Sequence, residues 1–487
     1  MDGSSRNTNT RISRREFLRL SALLAGLAAI RPERSLVAAP SPPKPRVIHT
    51  YCDRAANWDF STGWYGDYVD QTVVSQMVDR GLMELIGRSS RADAWRALIP
   101  NYESGQRVAI KANFNNARST DDSDNVIDAL IEPVNAVIGG LKELGVAESD
   151  IWVYDAVRSI PTRFRSGCAY PGVQFSGDWT SNPQGFSATE KVSFDTPPGG
   201  PALADLRISK VLVDADYLIN MPIMKKHWAA CVTLSFKNHF GSIDNCAALH
   251  RYTFPSHDDF TSAYNPLVDI YQNPHFGPKT VVTIGDGLYG SRGNQESVPQ
   301  PWTSFDDDAP RSLFFSQDPV AIDSVMYDFL EQEAGVDPGG DDYLALAAQA
   351  GLGVHEHRAP GALGPEDWYD KIDYVHVDVD SFVKLRGLWR DGTAYLYWNK
   401  PCHPDLAGYR IHYSNDVGAG VGLAGSSIID VTDPEQIEFE LTGLTMYTPY
   451  RVWIQPYDGS DQSLGKSNQI TILPTDILYH LPLASAG

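Results

Sequence analysis

Along residues 107–154, two short, mainly apolar segments flank a stretch in which apolar residues recur at helical spacing. The apolar segments at 107–113 and Ile151–Tyr154 have the length of buried strands. Between them, residues 125–144 carry apolar side chains three and four positions apart, which predicts a helix that ends at Gly145. Pro133 either kinks this helix or marks its true start. A strand, a helix and a strand in this order predict a right-handed crossover within a parallel sheet.

The pattern continues less regularly toward residue 380. Residues 160–205 are rich in Gly, Pro, Ser and Asp and predict a long excursion. The segments 211–221 and 280–284 are predicted strands, and 319–332 is a predicted helix that Asp318 can cap. We therefore expect an α/β domain over residues 46–380, with a mainly parallel sheet and flanking helices.

Short alternating segments follow, at 394–398, 408–413, 437–441 and 450–454, and they are typical of a β-sandwich. Trp398, Leu441-Thr-Gly-Leu444 and Tyr450 together resemble a fibronectin type III module over residues 383–474, which is a small all-β immunoglobulin-like sandwich. The resemblance implies that Tyr450 is the corner tyrosine and that this module spaces or binds rather than catalyses. Residues 475–487 form a C-terminal tail.

The first 39 residues are similar to a bacterial twin-arginine signal peptide. The segment Ser13-Arg-Arg-Glu-Phe-Leu-Arg19 precedes an apolar stretch at 20–30 and small residues at Val37-Ala-Ala39. The stretch is shorter than the ~20 apolar residues that span a bilayer. This resemblance implies export through the twin-arginine machinery to the periplasm, the cell surface or the exterior, with the signal either cleaved or retained as an anchor. A Pro-rich spacer, residues 40–45, would follow.

The charge of the chain limits its partners. Lys and Arg number 40 against 61 Asp and Glu, which gives a formal charge of −21. This balance argues against a general affinity for nucleic acid or anionic lipid, so an anionic ligand needs a local basic pocket. Four lysines within 28 residues form such a basic island: Lys210, Lys225, Lys226 and Lys237. A solvated basic turn is the alternative.

Five blocks in order resemble the domain-of-unknown-function family 362 over residues from about 105 to 335. They are the segments 108–113, 217–227, 233–241, 283–287 and 317–323. The resemblance implies an α/β protein whose activity is mostly unassigned. Many relatives carry ferredoxin-like cysteine clusters, but the five cysteines here include no C-x-x-C pair, so no iron–sulfur cluster is expected. Export would permit a disulfide.

Polar residues at the ends of the predicted strands should meet at one edge of the sheet, where open α/β folds bind ligands. The candidate catalytic residues are His227 for proton transfer, Lys237 as a clamp or nucleophile, and Asp286 to orient the ligand or hold a metal. The candidate ligand-binding residues are Lys111, Asn113, Asn220, Lys225, Lys226 and Asn238. Each of these side chains also has a purely structural interpretation.

The cofactor cannot be named from the sequence. A divalent metal would draw on candidates such as His227, His239, His257 and Asp286, and His355-Glu-His357 is a further pair, but no spacing matches a known metal motif. We thus expect an exported protein that binds a small anionic ligand, with or without catalysis. The alternative is a non-catalytic surface adhesion protein, in which exposed aromatic residues such as Trp453 or Tyr457 contact a cell-surface polymer.

Overall fold

The computed structural model describes residues 43–117, 124–177, 184–293, 297–362, 365–379, 383, 385–398, 400–401, 406–415 and 427–476. The predicted signal peptide, residues 40–42 of the spacer, Cys402 and the tail from residue 477 lie outside the described residues. A search of the described helices for one with the length and apolarity of a membrane span finds none.

The strands are β1 Arg46–Tyr51, β2 Val108–Lys111, β3 Ile151–Tyr154, β4 Gln174–Ser176, β5 Phe186–Val192, β6 Leu206–Ser209, β7 Tyr217–Asn220, β8 Ile223–His227, β9 Cys231–Val232, β10 Thr280–Ser291, β11 Ser312–Ser316, β12 Asp373–Asp378, β13 Leu385–Arg390, β14 Thr393–Trp398, β15 Leu406–Ser414, β16 Ser427–Val431, β17 Glu438–Leu441, β18 Tyr450–Asp458 and β19 Ile470–Ile472. The α-helices are α1 Gln71–Ile86, α2 Arg91–Leu98, α3 Ile131–Leu144, α4 Thr162–Ser166, α5 Lys210–Asp214, α6 Ser235–Asn238, α7 Pro266–Gln272, α8 Pro319–Ala334 and α9 Asp342–Gln349.

One large mixed sheet organises the α/β part. Its strand order is β12-β1-β11-β10-β7-β2-β3-β4, and β8 pairs with both β10 and β9. The run from β10 through β7, β2 and β3 to β4 is parallel, whereas β11 is antiparallel to β1 and β10. The expected mainly parallel sheet is therefore confirmed, with antiparallel pairs on one side.

Helices cover both faces of this sheet. Ile48 and Ile110 belong to one hydrophobic cluster, which includes side chains of α1, α2 and α3. Their neighbours Val47 and Ala109 belong to a second cluster on the other face, together with side chains of α7 and α8. Successive strand residues point to opposite faces, so each strand contributes to both layers.

Several predicted elements need correction. The predicted strand at 211–221 is wrong in its first half, which is the short helix α5, and only Tyr217–Asn220 is a strand. The helix predicted from residue 125 begins at Ile131, so Pro133 lies in its first turn and does not kink it. The excursion at 160–205 contains α4, β4 and β5, and β4 extends the main sheet.

The C-terminal part has two antiparallel sheets, β13-β14-β17 and β16-β15-β18-β19, around a third hydrophobic cluster. The Tyr450 hydroxyl accepts a hydrogen bond from the Thr445 N–H at 3.1 Å, as a corner tyrosine does. Trp453, which would need to be exposed to contact a polymer in the adhesion alternative, is 5% exposed and stacks on His412 with ring centres 5.0 Å apart. Tyr457 is half-buried, with the Arg410 guanidinium 4.6 Å from its ring centre.

Candidate functional site

The ends of three parallel strands form the base of the candidate site. Lys111 on β2 is in register with Tyr154 on β3 and with Asn220 on β7. Asp155 follows Tyr154 directly and is buried. Because carboxyl ends of parallel strands share one edge, these side chains lie next to one another, as the sequence predicted.

The segment 235–242 crosses this edge as α6 and a 3₁₀ turn, His239–Ser242. The buried carboxylate of Asp323 on α8 accepts hydrogen bonds from the backbone N–H groups of Ser235, at 2.7 Å, and Phe236, at 3.3 Å. These bonds satisfy two of the first N–H groups of α6, which no residue within the helix can satisfy. Asp323 thereby holds the segment against the strand ends.

Asn238 joins the strand ends through its side-chain amide. Its oxygen accepts hydrogen bonds from Lys111 Nζ at 3.3 Å and Asn113 Nδ2 at 3.1 Å. Its nitrogen donates to the Asn220 side-chain oxygen at 2.8 Å and to the Lys111 carbonyl at 3.1 Å. Four of the residues predicted to bind a ligand thus form one buried network.

Lys111 and Asp155 form a buried ion pair beneath the site, with Nζ 3.0 Å from Oδ2. Burial lowers the pKa of Lys111, and the Asp155 carboxylate opposes that shift. Gly241 packs directly on the pair, because a Cβ atom there would lie 2.6 Å from both Asp155 Oδ1 and Lys111 Nζ. A glycine is therefore needed for the 3₁₀ turn to approach so closely.

A pocket of about 360 Å³, part of it open to solvent, lies over this network. Its lining is mostly polar or charged and consists of Asn113, Asn115, Asp155, Val157, Arg158, Thr233, Lys237, Asn238, Phe240, Gly241, Cys246 and His250. Three of the predicted site residues, Asn113, Lys237 and Asn238, line the pocket. Lys111 and Asn220 lie below it and hold Asn238 in place.

Lys237 is 5% exposed, and its Nζ lies 4.0 Å from the centre of the Phe240 ring. Among the described residues, no hydrogen-bond acceptor or carboxylate contacts this ammonium group. Burial, together with the positive charges of Arg158 and Lys225, lowers the pKa of Lys237 to about 7. Lys237 is therefore a buried cation whose charge is easily lost near neutral pH.

Arg158 provides a second positive charge in the lining. Its Nε donates to the Asn115 carbonyl at 2.9 Å and its Nη1 to the Val157 carbonyl at 3.1 Å. Within the described part of the chain, no carboxylate forms an ion pair with Arg158. Among the described residues, the pocket therefore has two cations, Lys237 and Arg158, that form no ion pair with a carboxylate.

His227 stacks behind the pocket. Its ring lies 5.3 Å from that of His250 at an angle of 12°, and its Nδ1 accepts a hydrogen bond from the Ala229 N–H. Burial lowers the pKa of His227 well below its usual value, and the Lys237 charge acts in the same direction. His250 lines the pocket, and burial lowers its pKa to about 3. Both imidazoles are thus neutral at physiological pH.

Besides Lys111, Asn220 and His227, three further predicted residues lie outside the pocket lining. Lys225 is fully buried, and its charge interacts with that of Asp128; burial lowers the pKa of the lysine and raises that of the carboxyl. Lys226 directs its Nζ to the Ala334 carbonyl at 3.5 Å. Asp286 is buried beside Glu132, and burial raises the pKa of each carboxyl to about 7.

Sequence reasoning did not select Arg158, Asn115, Phe240, Cys246 or His250 for the site. Arg158 follows the end of β3 by only a few residues, which was the available signal. Cys246 is a free thiol beside Lys237. Burial raises the pKa of the Cys246 thiol, so it stays protonated at neutral pH.

The residues named for a divalent metal do not gather. Within the described ranges, none of His227, His239, His257 and Asp286 belongs to a group of three side chains close enough to share an ion. His239 packs edge-on against Tyr271 and Phe276, and burial lowers its pKa to about 3. These residues therefore have other roles in this fold.

Comparison with known proteins finds one family model that matches part of the chain. The family "Domain of unknown function (DUF362)" matches residues 108–328, a range that contains every residue of the pocket lining. No curated protein matches the chain.

Several solved structures show a limited likeness. A Fn3-like protein from Clostridium thermocellum is 18% identical, with 21% of this chain and 100% of that chain covered and a TM-score of 0.17. The FN5 domain of Drosophila Lar is 23% identical, with 20% and 98% covered and a TM-score of 0.16. Pectate lyase PelI from Erwinia chrysanthemi in complex with tetragalacturonic acid is 15% identical, with 19% of this chain and 28% of that chain covered and a TM-score of 0.16. The match thus spans little more than a quarter of the lyase.

Proposed function

We propose that residues 108–328, which match the domain of unknown function (DUF362), bind a small anionic ligand that carries a carboxylate or a phosphate. Lys237 and Arg158 would neutralise its charge, and the amides of Asn113, Asn115 and Asn238 would fix its orientation. Sequence reasoning expected such a ligand at a site of Lys, His, Asn and Asp residues. Of the predicted residues, Asn113, Lys237 and Asn238 line the pocket, and its imidazole belongs to His250 rather than His227.

The observation that carries the proposal is the unpaired burial of Lys237. Removing a charge from water costs several kcal/mol unless an opposite charge compensates it. Lys111 has such a partner in Asp155, and Lys225 interacts with Asp128. Lys237 has none among the described residues, although the whole chain carries a formal charge of −21. An anion in the pocket would supply the missing partner.

The lowered pKa of Lys237 favours a catalytic use of the same pocket. A neutral amine can attack a carbonyl carbon to form a Schiff base with loss of water, or accept a proton from the ligand. Sodium borohydride reduces such an imine to a stable amine. If catalysis uses this route, borohydride with a 2-oxo acid such as pyruvate should add the mass of one ligand less one oxygen atom to Lys237, because imine formation loses water and reduction adds two hydrogens. An unmodified Lys237 under these conditions would exclude the Schiff-base route.

Export by the twin-arginine route remains part of the proposal. It is supported by the sequence Ser13–Arg19, and the partner would be the export machinery. Replacing both Arg14 and Arg15 with Lys should leave the protein inside the cell, as fractionation followed by immunoblotting would show. Unchanged export of this variant would exclude the route. The adhesion alternative is weakened because one of its two proposed contact residues, Trp453, is buried, and the other, Tyr457, is half-buried.

A panel of anions tests the binding proposal. Phosphate, sulfate, malonate and neutral glucose are each added to the full chain, and the melting temperature is measured. A ligand at 100 times its Kd stabilises the folded state by about 2.7 kcal/mol, so the anions should raise the melting temperature by several degrees and glucose should not. Lys237→Met should remove the increase, whereas the matched Lys226→Met variant should retain it. Equal increases in both variants would refute the site.

A further inference from the structure

We propose that Asp341, His355 and His357 bind a divalent transition-metal ion, with Zn²⁺ the best fit, at a site outside the Lys237 pocket. The three residues each offer one ligand atom, and these atoms all lie within 4.8 Å of one another. None of the three lines the pocket described above. Sequence analysis noted the two histidines as a pair, but their spacing matched no metal motif and Asp341 was not linked to them.

The distances fit a shared ion. His357 Nε2 and Asp341 Oδ2 are 3.0 Å apart. Zinc bonds to imidazole nitrogen and carboxylate oxygen are about 2.0–2.2 Å long, so two ligands of one zinc ion lie roughly 3 Å apart. The ion can therefore take the position of the proton between these two atoms. The His355 ligand atom lies within 4.8 Å of the other two, so a small movement of its side chain toward them would complete a set of three ligands.

The second nitrogen of each histidine is already held by helix α8. His357 Nδ1 pairs with Asp328 Oδ1 at 2.6 Å, and His355 Nδ1 pairs with the Ser324 hydroxyl at 3.0 Å. Ser324 and Asp328 are four residues apart, so they lie on one face of α8, and both are buried. Metal-binding histidines in proteins are oriented by such partners on their other nitrogen.

Asp328 is itself fixed. Its other oxygen accepts hydrogen bonds from the Tyr369 hydroxyl at 2.8 Å and from the Arg358 N–H at 2.7 Å. The Asp328 carboxylate is therefore fixed in the orientation that holds His357 Nδ1. Each histidine has one anchored nitrogen, and the remaining nitrogen of His357 faces Asp341.

The ligand set indicates the class of metal. Two imidazoles and one carboxylate suit zinc and other first-row divalent ions, whereas Mg²⁺ and Ca²⁺ prefer oxygen ligands alone. His357 is exposed and the other two residues are half-buried, so an ion can enter from solvent. Three protein ligands leave a fourth position for water, which is the arrangement of catalytic rather than structural zinc sites.

Calorimetric titration of the full chain with ZnCl₂, after removal of metals by EDTA, tests this site. Wild type should bind one equivalent, and MgCl₂ should give no comparable heat. His355→Ala and Asp341→Asn should each weaken zinc binding at least tenfold. The matched control is His257→Ala, which removes another half-exposed histidine near a carboxylate, Asp259, and should bind as wild type does.

A second variant separates orientation from folding. Ser324→Ala removes the hydroxyl that holds His355 and should weaken zinc binding by about tenfold, since loss of such partners costs 10–100-fold in metal affinity. A melting temperature of each metal-free variant close to that of wild type shows that the fold is intact. Absence of zinc binding in wild type, or equal binding in wild type and His355→Ala, would overturn the proposal. Lys237→Met should not change zinc affinity, so this result is independent of the anion site.

Discussion

The Lys237 side chain makes the anion site sensitive to pH. Burial lowers its pKa to about 7, so the ammonium form that attracts an anion is lost above that pH. Sulfate affinity should therefore fall about tenfold for each pH unit above 7, because one proton is needed for binding. Calorimetry with sulfate from pH 6 to 9 measures this, since sulfate keeps its charge throughout. Lys237→Arg should remove the dependence, because a guanidinium stays protonated; a flat profile in wild type would contradict the account.

Lys237 also makes the stability of the folded protein depend on pH. In the unfolded chain a lysine titrates near ~10.4, so between about pH 7 and 10 the unfolded state binds the proton that folded Lys237 has lost. The free energy of unfolding from this group therefore rises with pH over that range. Urea denaturation of wild type and Lys237→Met at pH 7 and pH 9 should show a larger gain in wild type. A larger gain in Lys237→Met would be the opposite of this expectation.

Gly241 offers a second test at the scale of one residue. An added Cβ would lie 2.6 Å from both members of the buried Lys111–Asp155 pair, so Gly241→Ala must separate them or displace the turn. Disrupting a buried pair costs about 3–5 kcal/mol, and the melting temperature should fall accordingly. Gly459→Ala is the control, because no atom lies within 4 Å of its added Cβ, and its effect should stay below about 0.5 kcal/mol. Equal effects would show that Gly241 is not tightly packed.

The pocket residues that could be predicted from the sequence lie in the segments that resemble the family. Asn113, Lys237 and Asn238 were selected from the sequence and line the pocket. Arg158, Cys246 and His250 were not selected, because each reaches the pocket from a loop or a 3₁₀ segment whose path depends on tertiary packing. Asp286 was selected as a strand-end residue, yet it lies beside Glu132 and not in the pocket lining.

At the scale of elements, Asp318 links helix α8 to the segment that carries the proposed metal ligands. Its Oδ1 accepts hydrogen bonds from the N–H groups of Val320 and Ala321, and its Oδ2 accepts one from Val354, next to His355. Loss of an N-cap costs about 1–2 kcal/mol. Asp318→Ala should therefore lower the melting temperature more than Asp70→Ala, which removes a single cap bond at α1. It should also weaken zinc binding, whereas Asp70→Ala should not; equal behaviour of both variants would exclude the link.

Helix α8 could be predicted from the sequence because its start is local, with an Asp cap followed by Pro at the first helical position. The segment 211–221 could not be divided correctly, since a short apolar run fits a buried helix as well as a buried strand. There, one turn of helix buries Val211 and Leu212, and β7 begins only at Tyr217. Tertiary burial, which no local pattern specifies, determines that boundary.

For the whole molecule, the pocket should work without the fibronectin-like part. All its lining residues lie between 113 and 250, and the sandwich buries a hydrophobic cluster of its own. A chain that ends at Val379 should therefore bind sulfate with a Kd within about twofold of the full chain, as calorimetry can measure, because distant sites act independently. A much weaker Kd in a chain that still melts cooperatively would show that the sandwich contributes to the site.

The overall architecture was predictable because alternating strand and helix patterns favour a parallel sheet with helices on both faces. The direction of β11 was not, since a strand that follows β10 through residues 292–311 can return in either direction. The sequence also predicted the basic island of four lysines, but it did not indicate which of them would line a pocket. The fold buries Lys225 and Lys237 while Lys210 stays exposed, so only part of that island is available to a ligand.

The most direct test of the central claim is a calorimetric titration of sulfate into the full chain and into Lys237→Met at pH 6.5, where Lys237 is mostly protonated. The account predicts one equivalent of sulfate bound by wild type and no measurable binding by a folded Lys237→Met protein. Equal binding by the two proteins, or no sulfate binding by wild type, would contradict the claim that Lys237 is kept unpaired for an anionic ligand.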